Sequence, residues 1–121
     1  MSTAKFNQWL NSDGTENYKC RAWVNFNGTG TVAIRASGNV SSITDNGTGD
    51  YTVNFTNAMP DANYGVSGFA TSMDTVLGHQ WGFITSRQSS EHLNTSVRIQ
   101  SSLSYNATPF DTNLVCVEIF R

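Results

Sequence analysis

Apolar and polar residues alternate with a period of two along several short stretches of the chain. Between residues 20 and 26, Cys20, Ala22, Val24 and Phe26 alternate with Arg21, Trp23 and Asn25. Such alternation puts successive side chains on opposite faces of a β-strand and predicts a strand with one buried face. Further strands are predicted at 31–36, 40–44, 51–55, 64–70, 80–85, 95–99 and 114–120.

About eight short strands separated by polar, glycine-containing turns are typical of an all-β domain. Helical periodicity is almost absent, and a length of 121 residues suits one domain. The pattern therefore predicts a compact antiparallel β-sandwich, jelly-roll-like in type. Residues 1–18 are predicted to form an N-terminal arm and residues 19–121 the sandwich.

The last predicted strand is apolar on both faces except at Glu118. A strand of this kind must be covered on both sides. We therefore expect it to lie in the centre of the sandwich or against another subunit.

The tetrapeptide Asn-Gly-Thr-Gly occurs twice, at residues 27–30 and 46–49. Asn-Gly between two alternating segments predicts a hairpin, because both residues tolerate a positive φ, and the added Thr-Gly permits a bulge. The carboxylates of Asp45 and Asp50 raise the alternative of a calcium loop, but the ligand spacing and the distal Glu of such loops are missing. Neither copy has the Lys-Ser/Thr of a phosphate-binding loop. The sequence predicts two hairpins, no metal and no cofactor.

The first residues have a different pattern. Phe6, Trp9 and Leu10 are spaced i, i+3 and i+4, and the polar run 11–14 ends the pattern. This spacing fits one helical turn, or an arm whose apolar side chains dock elsewhere. They could pack on their own domain or insert into a neighbouring protein as an attachment arm, and the sequence leaves both alternatives open.

The charge content excludes two classes of partner. Only 13% of the residues are charged, the net charge is −2, and the seven Lys and Arg residues are scattered. Nucleic-acid binding needs a concentrated basic face, and membrane insertion needs a long apolar run, so neither is expected. No export signal is predicted. Cys20 and Cys116 are interpreted as buried small hydrophobes; a disulfide would require the first and last strands to be neighbours.

Candidate chemistry is sparse. The chain has two histidines and lacks the G-x-S-x-G nucleophile motif, and its acidic residues fall mostly in turns, so a non-enzymatic protein is predicted. His79, Gln80 and Trp81 combine a stacking ring with hydrogen-bonding groups, as in sugar or peptide recognition. The alternative is that Trp81 belongs to the core. Three further binding candidates lie in loops: Asp74, Arg87 and His92.

The stretch from Cys20 to Tyr64 resembles a module of tail-fibre and related virion proteins of tailed bacteriophages, especially marine phages and cyanophages. The motifs WVNFNGTGTVAIR and DYTVNFTxxMPDANY occur in order at their usual separation. The resemblance implies a β-rich, trimeric structural protein on the exterior of the virion, made in the cytoplasm of the host bacterium. It supplies no catalytic residues.

In such a homotrimer, Leu114 and Phe120 are expected to approach the threefold axis while Val115, Val117 and Ile119 face the core. The leading expectation is a tail-fibre or tail-tip domain that binds a bacterial surface glycan or protein through its loops after Gly65. The alternative is a capsid cement or decoration protein that stabilises the phage head through contacts with other virion proteins. A small hydrolase is the third hypothesis.

Overall fold

A computed structural model describes residues 2–71, 81–87, 89–103 and 107–121. Within these ranges the chain forms eight β-strands and one short 3-10 turn, Ser89–Glu91, and no α-helix. All strand pairs are antiparallel, so the predicted all-β antiparallel fold is confirmed. The strands are β1 (Cys20–Asn27), β2 (Ala33–Gly38), β3 (Val40–Gly47), β4 (Asp50–Phe55), β5 (Gly65–Thr71), β6 (Trp81–Ser86), β7 (Ser96–Leu103) and β8 (Leu114–Phe120).

The strands fold into two layers. Hydrogen bonding links them in the order β2-β1-β8-β5-β6-β7-β4-β3. Strands β5 and β6 pair at two positions, whereas every other neighbouring pair shares five to seven. The continuous sheet therefore turns a corner there, and β2-β1-β8-β5 faces β6-β7-β4-β3. Phe26 of β1 and Tyr51 of β4 pack edge to face across the interior with ring centroids 5.1 Å apart.

The core consists of the inward residues of these alternating strands. Strand β8 lies between β1 and β5, as its two apolar faces predict. Each fully buried Val, Ile or Phe side chain contributes about 1.5–3 kcal/mol of hydrophobic stabilisation. The buried apolar residues on β1, β4, β7 and β8 are Ala22, Val24, Phe26, Tyr51, Val53, Phe55, Val97, Ile99, Leu103, Val115, Val117 and Ile119. The polar residues Asp50 on β4 and Ser101 and Ser102 on β7 are also buried.

Both Asn-Gly-Thr-Gly segments connect paired strands, so the predicted hairpins are confirmed. In the first copy, residues 27–30, the expectation of a positive φ at Asn27-Gly28 is wrong. Its positive φ of 58° falls on Gly30, because Asn27 Oδ1 instead accepts hydrogen bonds from the Thr29 amide and hydroxyl at 3.0 and 2.6 Å. In the second copy Gly47 and Gly49 have φ of 134° and 64°, and the ladder shifts register beside Gly47, as a bulge requires.

The two turns meet at one buried hydroxyl. Tyr51 Oη lies 2.8 Å from the Gly28 carbonyl oxygen and 2.8 Å from Asp111 Oδ1. The Gly49 amide also donates to Asp111 Oδ1 at 2.8 Å, and the Gly28 amide donates to the Thr112 carbonyl at 2.9 Å. Burial and the Asp111 carboxylate raise the pKa of Tyr51 far above its ordinary value, so the hydroxyl keeps its proton. These hydrogen bonds join Tyr51, Gly28, Gly49, Asp111 and Thr112 into one cluster.

The opposite end of the sheet is closed by the corner Gly38-Asn39, which joins β2 to β3. Asn39 adopts a positive φ of 56°, which asparagine tolerates better than most residues. Its side-chain amide donates to the carbonyls of Arg21 and Asn57 at 3.0 Å, and its Oδ1 accepts from the Asn57 amide at 2.7 Å. One side chain thus holds strand β1 to the segment that follows β4.

Gly49→Ala is expected to lower the free energy of unfolding by about 3 kcal/mol or more, and Gly30→Ala by about 1–2 kcal/mol. Both glycines have left-handed φ values, so an alanine at either position must adopt a conformation that is unfavourable for a residue with a Cβ. A Cβ at Gly49 would lie 2.4 Å from the Ser101 carbonyl oxygen, whereas one at Gly30 meets nothing within 4 Å. Urea denaturation measures both values, and equal losses would contradict a special packing constraint at the second turn.

Candidate functional site

The outer surface of the layer β2-β1-β8-β5 carries aromatic side chains that face solvent. Trp23, Phe69 and Phe120 are 43, 51 and 44% exposed. Strand pairing puts Trp23 opposite Glu118 and Phe69 opposite Cys116, and directly opposed residues share a face of the sheet. We call this set, Trp23, Phe69, Phe120, Glu118 and Cys116, the outer aromatic face.

A glycine on the neighbouring strand determines how Trp23 lies on this face. Gly38 of β2 is paired directly with Trp23 of β1. A Cβ at Gly38 would lie 2.4 Å from Trp23 Nε1 and 2.9 Å from Cδ1, so the indole occupies the space above the glycine. The ring therefore reaches across β2 while much of it stays open to solvent.

Polar groups lie between the aromatic side chains. Ser67 Oγ donates to Glu118 Oε2 at 3.0 Å, and Arg35 Nη1 donates to Asn25 Oδ1 at 3.2 Å. Burial and the neighbouring Glu118 raise the pKa of the Cys116 thiol, which stays neutral. The face thus combines apolar rings with positioned hydrogen-bonding groups, the combination found in ligand-binding surfaces.

A cleft of about 240 Å³ lies where β5 and β6 separate. Among the residues that the structure describes, these strands pair only at Ala70 with Gly82 and Thr71 with Trp81, and the cleft lies where they diverge. The volume is below the roughly 300–1,000 Å³ of typical small-molecule pockets, so the cleft suits a single small group. Val66, Ile84, Val97 and Ile99 line it with apolar groups, and Ser67, Thr85, Ser86 and His92 with polar ones.

The predicted binding residues are only partly covered by the structure. Asp74, His79 and Gln80 lie outside the described residues, as does the side chain of Trp81, and their role stays a prediction. Arg87 and His92 are described, and their contacts put them in different environments. His92 lines the cleft, whereas Arg87 contacts charged and polar residues of β4 and β7.

His92 is held beside the cleft by Tyr64. The two rings stack with centroids 4.1 Å apart, and His92 Nε2 lies 3.2 Å from the Tyr64 carbonyl oxygen. The Tyr64 hydroxyl donates to the Leu93 carbonyl at 2.6 Å, and burial raises the pKa of Tyr64 to about 12. The imidazole is therefore positioned by packing and available at the rim of the cleft.

Arg87 belongs to an ion-pair network centred on Asp50. Arg98 donates to both Asp50 carboxylate oxygens at 2.8 and 2.7 Å, and to Glu91 at 2.8 and 2.9 Å. Arg87 Nε lies 3.8 Å from the same Asp50 carboxylate. Because the Asp50 side chain is only 10% exposed, this network serves the fold, and nothing in it points to a ligand.

The N-terminal arm is a small hairpin, so of the two alternatives the single helical turn is wrong. Leu10 bridges to Glu16, and the Asn17 amide donates to the Trp9 carbonyl at 2.7 Å. These cross-strand bonds replace the helical spacing because Gly14, with a φ of 86°, turns the chain back. Phe6, Trp9 and Leu10 are 67, 59 and 48% exposed, so they are not packed on their own domain.

The two predicted interface residues lie on the outer side of β8. Phe120 is exposed and Leu114 is partly buried, while Val115, Val117 and Ile119 face the core as expected. Their position leaves both side chains accessible to a partner subunit. The homotrimer itself stays a prediction.

The cysteines are both free thiols. Strands β1 and β8 are neighbours, but Cys20 lies opposite Phe120 and Cys116 opposite Asn25, so the pair is out of register for a disulfide. The expected burial is wrong for Cys20, which is exposed at the start of β1 where the pairing with β8 shifts register.

The carboxylates of the suspected calcium loop have other partners. Asp45 Oδ1 accepts from the Gly47 amide at 3.0 Å, and Asp50 binds Arg98. Among the described residues no group of three or more His, Cys, Asp and Glu side chains could hold a metal ion. The same residues include no helix long and apolar enough to cross a membrane.

Comparison with known proteins found no matching family model, no similar curated protein and no similar solved structure. The outer aromatic face was not predicted from the sequence, although one signal was present: Trp23 is a large apolar residue on the otherwise polar side of the alternating strand 20–26. Phe69 carries no such signal, because the alternation around it is interrupted by glycines.

Asp50→Asn is expected to lower the free energy of unfolding at pH 7 by about 1–3 kcal/mol, because charged hydrogen bonds to Arg98 are lost. These bonds hold the pKa of Asp50 below its ordinary value of 3.8. The stabilisation is therefore complete above that value and disappears as the pH falls through the lower pKa of the folded state.

Urea unfolding measured from pH 7 to 2 tests this dependence. The wild-type chain is expected to lose more stability than Asp50→Asn over the acid range. Asp45→Asn is the matched control, since that carboxylate accepts a backbone hydrogen bond without an ion pair. Identical acid profiles for all three proteins would contradict the prediction.

Proposed function

We propose that this chain is a structural protein of a bacteriophage virion, of the tail-fibre or tail-tip type, which attaches to the host surface by contact and not by catalysis. The observation that carries the proposal is the outer aromatic face. Trp23, Phe69 and Phe120 stay about half exposed on the outer side of a layer whose inner side forms part of the core. Exposed apolar patches on small proteins mark binding surfaces more often than scattered apolar residues do.

The resemblance of residues 20–64 to phage tail-fibre modules supports this proposal. That segment contains β1 to β4, which contribute two strands to each layer, and both glycine turns. It also includes Trp23, at the start of the matching motif. The residues after Gly65 complete the sheets and add Phe69, Glu118 and Phe120 to the face.

In the proposed particle the N-terminal arm serves attachment to other virion proteins. Phe6, Trp9 and Leu10 are exposed on the N-terminal arm, where they are accessible to another virion protein. The predicted homotrimer, with Leu114 and Phe120 near its axis, would cover the outer aromatic face and is therefore the competing arrangement. The cleft beside His92 is the second proposed contact with the host surface, and a contribution of Asp74, His79, Gln80 and Trp81 to host binding stays a prediction.

A capsid cement or decoration protein is the second candidate function, and the arm favours it. A hairpin with three exposed apolar side chains is suited to gripping a neighbouring capsid subunit. In that case the host surface plays no part, and the aromatic face would contact the phage head.

Immunogold labelling of virions from the phage that carries the gene is expected to mark the tail fibres or the tail tip. The antibody is raised against the purified chain. Label on the head would support the cement function instead. Purified particles that lack the chain by mass spectrometry would contradict both functions.

The double variant Phe6→Ala, Trp9→Ala is expected to keep the melting temperature of the sandwich within about 2 °C, because both side chains are exposed. Its incorporation into virions, measured by quantitative mass spectrometry after complementation, should fall at least tenfold. Lys5→Ala, Asn7→Ala is the matched control on the same arm. Equal incorporation of both variants would contradict the attachment role.

A further inference from the structure

The outer aromatic face is too small to hold a folded protein partner by itself. An aromatic side chain has about 150–250 Å² of surface, and Trp23, Phe69 and Phe120 are each about half exposed. Together they offer about 300 Å², whereas a stable interface between proteins needs about 800 Å² from each partner. The area matches a smaller or narrower ligand.

The centre of the face is polar, which also disfavours an apolar partner. Glu118 lies between Trp23 and Ser67 in the strand pairing and accepts a hydrogen bond from Ser67. An ionised carboxylate has about four acceptor sites, so further donors are needed if water is displaced. An apolar surface laid over Glu118 would desolvate the charge without compensation. A ligand rich in hydroxyl groups would supply the donors.

The spacing of the rings indicates a chain-like ligand. Trp23 lies on β1 and Phe69 on β5, with β8 between them, so the rings are two strand spacings apart, about 10 Å. Along the strand direction the two rings are offset by two residues, about 7 Å, because Trp23 is paired with Glu118 and Phe69 with Cys116. One small ring cannot stack on both, but separate units of an oligomer can.

We propose that the outer aromatic face binds a neutral polysaccharide. The apolar faces of two sugar units stack on Trp23 and Phe69, and hydroxyl groups between them donate to Glu118. Asn25, held by Arg35, provides an amide at the edge of the same path. This inference rests on the proposed role in contacting a bacterial surface, and it names the ligand class and the residues.

Gly38 is the positioning residue of this site. It lets the indole of Trp23 lie across β2, and a Cβ there would overlap Nε1. Gly38→Ala is expected to displace the indole while leaving its chemistry unchanged, because the indole is the movable end of a side chain. Loss of binding in this variant would show that the orientation of the Trp23 indole is required, since the indole itself is still present.

The test uses the full-length protein on an array of purified bacterial surface polysaccharides, followed by affinity electrophoresis in gels containing the polymer bound most strongly. We expect Trp23→Ala, Phe69→Ala and Glu118→Gln each to weaken binding at least tenfold, and Gly38→Ala to weaken it by a similar factor. Trp9→Ala is the matched control, because it removes an exposed tryptophan from the arm. Its affinity should equal that of the wild type, and circular dichroism should show all variants folded.

Three results would overturn the inference. The first is a wild-type protein that binds none of the arrayed polysaccharides. The second is binding that survives both Trp23→Ala and Phe69→Ala. The third is a homo-oligomer, seen by light scattering, that dissociates in those variants, since the face would then be covered by a second copy. Any of these results leaves the proposed place on the virion intact, because labelling of particles tests that separately.

Discussion

The structure depends on a buried hydroxyl that needs a hydrogen-bonding partner. Tyr51 is completely buried, so its phenol group must find an acceptor inside the protein. Those within reach belong to Gly28, on the first glycine turn, and Asp111, which also binds the second turn at Gly49. Both hairpins and the segment before β8 are thereby tied to one point. The repeated tetrapeptide is a structural device, since its glycines allow the backbone to approach Tyr51 and Asp111 closely.

The strand pairing set at that end of the sandwich also determines which side chains face outward. Once β8 is paired with β1 and β5, strand alternation directs Val117 inward and Glu118 outward. The two outer surfaces then differ in kind. One is stabilised by the ion pairs of Arg98 with Asp50 and Glu91, and the other carries exposed rings. A chain with few charges can therefore have one surface suited to solvent and one suited to contact.

The fold could be largely predicted because its information is local. Period-two alternation, short apolar runs and the turns between them predicted all eight strands, and the Asn-Gly pairs predicted both hairpins. The left-handed position at Gly30 could not be predicted, because it depends on the hydrogen bonds that Asn27 makes in the folded turn. The aromatic face was missed for a similar reason. It joins Trp23, Phe69 and Glu118 from three strands, and only the strand order makes them neighbours. In the arm, the spacing of Phe6, Trp9 and Leu10 was compatible with a helical turn, but Trp9 and Leu10 instead make the cross-strand contacts of a hairpin.

The corner at Asn39 has a consequence for crowded copies of the protein. Strands β2 and β3 are the outermost of the sheet, and an outermost strand is a template for pairing with a foreign chain. The corner joins them directly, so the two margins meet at this end of the sandwich. A foreign strand that approaches either margin at this end meets the second layer beside it. The corner therefore obstructs edge-to-edge pairing of neighbouring copies where the two layers are joined.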